Sequence, residues 1–359
     1  MALSENQLLM LNLLVFTDFI RNGDTVREIV CRLEAALDQN IPMDTCRMKP
    51  FEWRRLADAV KNQPDLLAYH VRHYRDGSHL EKNMACFVDD PDNPRDVIVV
   101  FRGTSKNDDW RDNGRCSYQA DTEKQREAAE YVNGLPGNYG NEITVTGHSK
   151  GGNKAQYVTM VTDRVGRCVT FDGLGFSKEF IEKYADEISK KSDCITAISV
   201  AEDYVNSILL PIADKRTFVE SNLEYVSHFV EYHKPNVFLN GHGELNPPKE
   251  QSSFSKRISE YTAYVLLNVK DSKKGDDING LILFFEKMAN VHVKLSRHLL
   301  QPLWDFLMVF ILIFFVMPFK MPAAFGGGIK LLIHFIGADI RFAREHHSYI
   351  SKKKTAKKN

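Results

Sequence analysis

The sequence lacks the cysteine and histidine patterns of a metal-bound or disulfide-bonded scaffold. Its six cysteines are scattered, with no Cys-x-x-Cys pair and no cysteine and histidine cluster at the spacing of metal ligands. We therefore expect reduced thiols, no structural zinc, and no metal or organic cofactor.

The chain also lacks net charge and the basic start of an export signal. Its 47 basic residues balance its 47 acidic residues, so the overall charge predicts no nucleic-acid partner. The first seven residues include Glu5 but no lysine or arginine, unlike the start of a signal peptide. These features predict that the N-terminal part of the chain lies in the cytoplasm.

Long apolar runs are scarce, and the longest lies near the C-terminus. Residues 303–319 carry one charge, Asp305, and approach the roughly 17 to 25 residues of a membrane span. A weaker apolar segment follows at 321–337, and residues 340–359 carry seven basic side chains against one acid. These segments predict association with a membrane surface through 303–337 and the basic tail.

Three arrangements of the apolar segments stay open. A single span would put the basic tail across the membrane from the rest of the chain, against the positive-inside tendency. A hairpin or re-entrant pair keeps both ends in the cytoplasm and is favoured. Two buried core helices are the third arrangement. Nothing in the sequence indicates an oligomeric state.

Strands and helices alternate along the middle of the chain, after about 80 residues with helical periodicity. Such alternation predicts a three-layer, mainly parallel α/β sheet, with a helical N-terminal layer and an apolar C-terminal helical extension. The predicted strands are Met84–Val88, Val97–Phe101, Ile143–Thr146, Cys168–Phe171, Cys194–Val200 and an edge strand at Thr217–Val219. The predicted parts are an N-terminal helical layer (1–80) that belongs to the same domain as the α/β core (81–250), a helical linker (251–300), a membrane-associated helical pair (301–340) and the basic tail (341–359).

The pentapeptide Gly147-His148-Ser149-Lys150-Gly151 has the form G-x-S-x-G, in which a serine occupies a sharp turn between a strand and a helix. Residues 142–146 can form the strand before it and residues 152–163 the helix after it. The flanking glycines suit a strained backbone that leaves no room for a Cβ. Ser149 is thus the predicted nucleophile.

A serine nucleophile needs a base and an acid that orients it, and in this type of fold they follow the serine in the order acid, then histidine. Asp203 comes just after a predicted strand and is the favoured acid; Asp172 is its rival and Glu202 a lesser one. His233 is the favoured base, because the Lys-Pro-Asn after it indicates a loop. His228 is close behind, and His242 lies in the same stretch.

An oxyanion that forms during attack needs two hydrogen-bond donors. The backbone N–H of Lys150, directly after the nucleophile, is the expected first donor. The expected second donor is the backbone N–H of Thr104, which follows Gly103 at the end of a predicted strand.

Several segments together resemble the lipase class 3-like branch of the α/β-hydrolases, in particular a mostly bacterial group whose substrates are largely unassigned. They are Val-Ile-Val-Val-Phe-Arg-Gly-Thr (97–104) with Asp109, Trp110 and Asn113, Val-Thr-Gly-His-Ser-Lys-Gly-Gly-Asn (145–153), Thr-Phe-Asp-Gly-Leu-Gly-Phe (170–176) and Ala-Glu-Asp-Tyr-Val-Asn (201–206). The resemblance covers roughly residues 10–245. It implies catalytic roles for Ser149 and Asp203 and a structural role for Asp172, and it leaves the histidine open. Lys150 departs from the leucine common at its position.

These features predict a serine esterase or lipase-like hydrolase that cleaves carboxylic esters through a Ser-His-Asp triad and an acyl-enzyme. The apolar C-terminal segments favour a lipid ester, either a phospholipid or an acylglycerol. Two alternatives stay open. One is a membrane-tethered interaction or effector module with little or no catalysis, and the other is a thioesterase or acyltransferase.

Overall fold

The computed structural model describes residues 2–41, 46–75, 84–103, 112, 114–223 and 229–252, together with 255, 256, 259, 262 and 263. The predicted linker lies largely outside the described residues, and the apolar segments 303–337 and the basic tail lie wholly outside them. Within the described part of the chain, no helix is both long and apolar enough to cross a membrane.

A seven-stranded sheet forms the centre of the described structure, with its strands side by side in chain order. The strands are β1 (His70–Arg72), β2 (Met84–Val88), β3 (Val97–Phe101), β4 (Ile143–His148), β5 (Val165–Phe171), β6 (Ile195–Val200) and β7 (Lys215–Val219). Strand β1 pairs antiparallel with β2, and β2 forms an antiparallel hairpin with β3 around the turn-rich residues 89–94. From β3 to β7 every pairing is parallel, so the carboxyl ends of these strands meet at one edge.

Helices cover both faces of the sheet, and for this reason strands β2 to β4 are buried along their whole length. The helices are α1 (Glu5–Leu14), α2 (Val26–Asp38), α3 (Pro50–Lys61), α4 (Pro64–Leu67), α5 (Glu123–Asn133), α6 (Lys150–Val161), α7 (Lys178–Lys183) and α8 (Ala185–Lys191). On one face, α1 to α4 pack against alternate strand side chains such as Phe87 and Val100. On the other face, α5 to α7 pack against the intervening ones, such as Cys86 and Val99. A three-layer α/β arrangement results.

Helix α1 crosses the middle of the sheet, and every residue from Leu8 to Leu14 is buried. Asn12 is tolerated there because its Nδ2 donates to Thr146 Oγ1 on β4 and to the Leu8 carbonyl, both at 2.8 Å. The N-terminal layer is therefore part of the core of the sheet.

Some local predictions were wrong. The apolar spacing of Leu8, Leu11, Val15 and Phe19 predicts a helix that runs towards Phe19, but α1 ends at Leu14, where the Thr17 hydroxyl donates back to the Leu14 carbonyl. Asp24 can cap a helix over residues 25–37 by its sequence position, but the residue that caps α2 is Thr25, whose side chain accepts from the Glu28 N–H. The short strand β1 lies inside the segment that was expected to be wholly helical.

Candidate active site

Ser149 lies in a sharp turn between β4 and α6, at the carboxyl edge of the parallel strands. Its backbone has φ 58° and ψ −125°, a conformation that costs a residue with a Cβ on the order of 1 to 3 kcal/mol. A hydrogen bond of 2.9 Å from the Ser149 N–H to the Phe171 carbonyl on β5 holds the turn in place. The strained turn presents a partly exposed hydroxyl above the edge of the sheet.

The glycines around Ser149 are required by close backbone contacts. A Cβ on Gly151 would lie 2.0 Å from the Phe101 carbonyl oxygen, and one on Gly147 would lie 2.1 Å from the Gly151 carbonyl carbon. Real Cβ atoms do not approach backbone atoms so closely. The G-x-S-x-G spacing thus lets helix α6 start directly against the ends of β3 and β4.

Ser149, His233 and Asp203 form a continuous chain of hydrogen bonds. His233 closes a 3₁₀ turn (Phe229–His233), and its Nε2 lies 2.8 Å from Ser149 Oγ. Its Nδ1 lies 2.9 Å from Asp203 Oδ1. A carboxylate at Nδ1 favours the tautomer protonated there, which leaves Nε2 free to accept the serine proton. The arrangement can activate the hydroxyl as a nucleophile.

Asp203 is fully buried directly after β6, where the main chain and one side chain hold its carboxylate. Its second oxygen, Oδ2, accepts from the Asn206 backbone N–H at 2.9 Å and from Asn206 Nδ2 at 3.1 Å. The Asp203 N–H donates to the Val200 carbonyl at 3.0 Å. One carboxylate oxygen is therefore fixed by Asn206, and the other faces His233.

Asp172, the rival acid, is not the hydrogen-bond partner of His233. It is fully buried at the end of β5, and its Oδ1 accepts from the Val200 N–H at 2.9 Å and from Asn206 Nδ2 at 3.2 Å. Burial, followed by the negative charge of Asp203, raises the pKa of Asp172 well above its ordinary value. Asn206 thus bridges two buried carboxyl groups.

His148 lies under the imidazole of His233, with ring centroids 4.8 Å apart. Its side chain is buried between Phe16 and Phe238, and neither ring nitrogen has a hydrogen-bond partner among the described residues. Burial, with His233 as a second cause, lowers the pKa of His148 well below its ordinary value. His148 is therefore a neutral ring packed against the base.

One group of side chains in the described structure has the spacing of metal ligands. His148, Asp172 and His233 each offer a ligand atom within 4.8 Å of the others. Both nitrogens of His233 are already engaged, by Ser149 and Asp203. A metal ion there would have to displace one of those partners, so the geometry suits hydrogen bonding better than metal binding.

The side chain of Lys150 turns away from Ser149 into a buried cluster. Its Nζ lies 2.6 Å from Asp112 Oδ2 and 2.8 Å from Cys116 Sγ, and the lysine and aspartate side chains are 1% and 3% exposed. Burial acts to lower the pKa of Lys150, but Cys116 and Asp112 beside the ammonium group raise it above its ordinary value. The pair is therefore charged.

Lys150 also begins helix α6, where the first backbone N–H groups have no acceptor within the helix. Its predicted role as an oxyanion donor is compatible with this position and stays a prediction. Thr104, the expected second donor, lies outside the described residues. The preceding residue, Gly103, lies next to the serine: a Cβ placed on Gly103 would be 3.5 Å from the Ser149 Cβ.

The other candidate side chains do not join this network. Glu202 accepts from Lys249 Nζ at 2.5 Å, and His242 is exposed in the loop that begins at Asn240. His228 lies outside the described residues. Sequence reasoning did not single out the side chains of Asn206, His148 and Asp112; of these, only Asn206 had a local signal, an amide three residues after an aspartate.

Comparison with known proteins agrees with a fold of this kind. A family model described as Mbeg1-like matches residues 85–282, which is more than half of the chain. This segment begins in β2 and includes Ser149, Asp203 and His233. A search of curated proteins finds no match.

Proposed function

This chain belongs to the Mbeg1-like family, a lipase class 3-like family of hydrolases, and from that premise we propose that it is a serine hydrolase of carboxylic esters. The observation that carries the proposal is the unbroken series from Ser149 Oγ through His233 to Asp203, with distances of 2.8 and 2.9 Å. The left-handed backbone of Ser149 adds support, because a strained turn of this kind exposes a nucleophile at a strand end.

In the first half of the reaction, Ser149 Oγ attacks the ester carbonyl carbon while His233 Nε2 takes the hydroxyl proton. The carbonyl oxygen becomes an oxyanion that accepts from the Lys150 N–H. The intermediate then collapses and the bond to the alkoxy oxygen breaks. His233 gives its proton to the departing alcohol, and Ser149 carries the acyl group.

In the second half, a water molecule attacks the acyl-enzyme and His233 takes its proton. Collapse returns that proton to Ser149 and releases the carboxylic acid. Asp203 stays ionised throughout and stabilises the imidazolium that forms in each half.

Labelling with a fluorophosphonate tests the nucleophile. We expect the full-length protein to be labelled, Ser149→Ala to lose all labelling, and Ser189→Ala to label like the wild type. Ser189 is a matched control because it is exposed on helix α8. Labelling that persists in folded Ser149→Ala, or that is missing in the wild type, would refute the proposal. Turnover of p-nitrophenyl butyrate, compared with that of the matching thioester, then separates an esterase from a thioesterase.

We further propose that the physiological substrate is a lipid ester, a phospholipid or an acylglycerol, reached at a membrane surface from the cytoplasm. The support is the apolar segment 303–319 with the basic tail behind it. Full-length protein should float with vesicles of phosphatidylcholine and phosphatidylserine. Ile311→Arg, at the middle of the apolar segment, should reduce flotation, whereas Lys320→Arg should not. Full-length protein that stays in the soluble fraction with these vesicles would contradict the membrane proposal.

A further inference from the structure

Two buried carboxyl groups lie side by side in the site, although the hydrogen-bond chain from Ser149 ends on only one of them. Asp172 and Asp203 follow the adjacent parallel strands β5 and β6, and both are 0% exposed. Asn206 Nδ2 donates to both, at 3.2 Å to Asp172 Oδ1 and 3.1 Å to Asp203 Oδ2. The question is therefore which of these two carboxyl groups is ionised.

Ionising both buried carboxyl groups at once would cost considerable free energy. The described ion pairs include no lysine or arginine at either group, and like charges in a medium of low dielectric repel strongly. The titratable groups that face Asp172 are Asp203 from the loop after β6, His148 from the end of β4 and His233 from its 3₁₀ turn. His148 is neutral, and His233 is paired with Asp203. Among the described residues, no permanent cation therefore balances either carboxyl group.

The hydrogen bonds identify which of the two acids is neutral. Asp203 accepts from the backbone and side chain of Asn206 and faces His233, so all its partners suit a carboxylate. Asp172 uses only Oδ1 as an acceptor, whereas its Oδ2 is buried without a partner in the described structure. A carboxyl oxygen without a donor is the one that can carry a proton.

Given the serine hydrolase function proposed above, on which this role depends, we propose that Asp172 is a positioning residue whose protonated carboxyl group, with Asn206, holds the Asp203 carboxylate against His233. It does not touch the substrate. Its neutral form leaves a single negative charge beside the imidazole, and the shared Asn206 keeps that charge on Asp203.

The conservative variant Asp172→Asn imitates the neutral acid. Asparagine keeps an oxygen for the Val200 and Asn206 donors and supplies an N–H in place of the O–H. It also tolerates the left-handed backbone of this position, where φ is 45°. Asp172→Ala removes both hydrogen-bonding functions and is the matched contrast.

Unfolding by urea between pH 5 and 8 tests the protonation state without relying on activity. If folded Asp172 keeps a proton that the unfolded chain has lost, rising pH favours unfolding of the wild type but not of Asp172→Asn. The unfolding equilibrium constant of the wild type, divided by that of Asp172→Asn, should then increase by about tenfold per pH unit until the pH reaches the raised pKa of folded Asp172. A ratio that stays constant over this range would overturn the inference.

Kinetics with p-nitrophenyl butyrate test the positioning role. Asp172→Asn should keep kcat within about threefold of the wild type, whereas Asp172→Ala should lose about tenfold or more in kcat with little change in KM. A loss in Asp172→Asn as large as that in Asp203→Asn would mean that Asp172 acts as an anion, and would overturn the proposal.

The outcomes for the site and for the function can be told apart. A constant ratio in urea with normal fluorophosphonate labelling would refute the role of Asp172 alone, and missing wild-type labelling would refute the function first. Should Asp172→Asn fail to fold, ¹³C-aspartate labelling of the wild type replaces it. A carboxyl carbon in the protonated chemical-shift range at pH 7 would support the inference, and its absence would overturn it.

Discussion

Replacing Lys150 with methionine should cost more stability than any change of an exposed ion pair. Methionine keeps most of the apolar stem but leaves Asp112 as a buried carboxylate, with Thr122 Oγ1 at 2.8 Å as its remaining side-chain donor. Removing one partner of a buried pair typically costs about 3 to 5 kcal/mol, because the other charge is left uncompensated. We expect a loss of that size in the free energy of unfolding of Lys150→Met.

A double-mutant cycle separates the charge from the packing. Asp112→Asn keeps the bond to Thr122 but removes the negative charge, so the double variant has no unpaired ion. It should be more stable than Lys150→Met alone by about 2 kcal/mol. As a control, Lys178→Met breaks the exposed pair with Glu182, where the side chains are 46% and 64% exposed, and should change the stability by less than about 0.5 kcal/mol.

The deficit of Lys150→Met should also depend on pH. In the wild type, burial acts to raise the pKa of Asp112, but Lys150 beside it brings the pKa below its ordinary value. A lowered folded-state pKa stabilises the protein above the pKa of the unfolded chain, and this contribution is lost as the pH falls. Without the lysine, only hydrogen bonds such as that from Thr122 still oppose the effect of burial, so we expect the pKa of Asp112 to rise. The gap between wild type and variant should therefore widen as the pH rises from about 4 to 7.

Urea unfolding followed by circular dichroism measures each of these free energies. A Lys150→Met variant within about 1 kcal/mol of the wild type at pH 7, or a gap that does not change with pH, would refute a buried charged pair.

Three further predictions concern other parts of the structure. Gly151→Ala should give no folded protein, because its Cβ would lie 2.0 Å from the Phe101 carbonyl oxygen; a native circular dichroism spectrum would contradict this. Asp203→Asn should stay folded but lose about 10⁴-fold in kcat on p-nitrophenyl butyrate, and a loss below tenfold would remove Asp203 from the mechanism. Arg164→Lys should lose about 2 kcal/mol in urea unfolding, since an ammonium group cannot replace a guanidinium that donates to several carbonyls; an unchanged midpoint would disagree. Those carbonyls belong to Val132, Leu135, Pro136 and Gly140.

The sheet could be predicted from the sequence where a strand is a continuous apolar run. The residues Val97–Phe101 are buried on both sides, and no helical period competes with their pattern. Strand β1 has three residues and one buried side chain, so only its pairing with β2 defines it. Three residues are too few for an apolar pattern to identify β1 as a strand.

For the site, chain order and turn chemistry placed Ser149, Asp203 and His233, and in the structure these three lie within hydrogen-bond distance. Their catalytic roles stay predictions. The contacts of Asn206 and of the Lys150 side chain could not be foreseen, because each depends on elements distant in sequence that fold against it. From the sequence alone, a lysine after the nucleophile is expected to be exposed to solvent, whereas the fold buries it beside Asp112 and Cys116.

The helical layer on one face of the sheet determines which truncated fragments of the protein can be expected to fold. The segment matched by the family model, 85–282, contains six of the seven strands but none of helices α1 to α4. A fragment with those bounds would expose the apolar face that includes Phe87 and Val100, and it would remove Phe16 from beside His148. We therefore expect a fragment with the bounds of the family match to need the first 80 residues as well in order to fold.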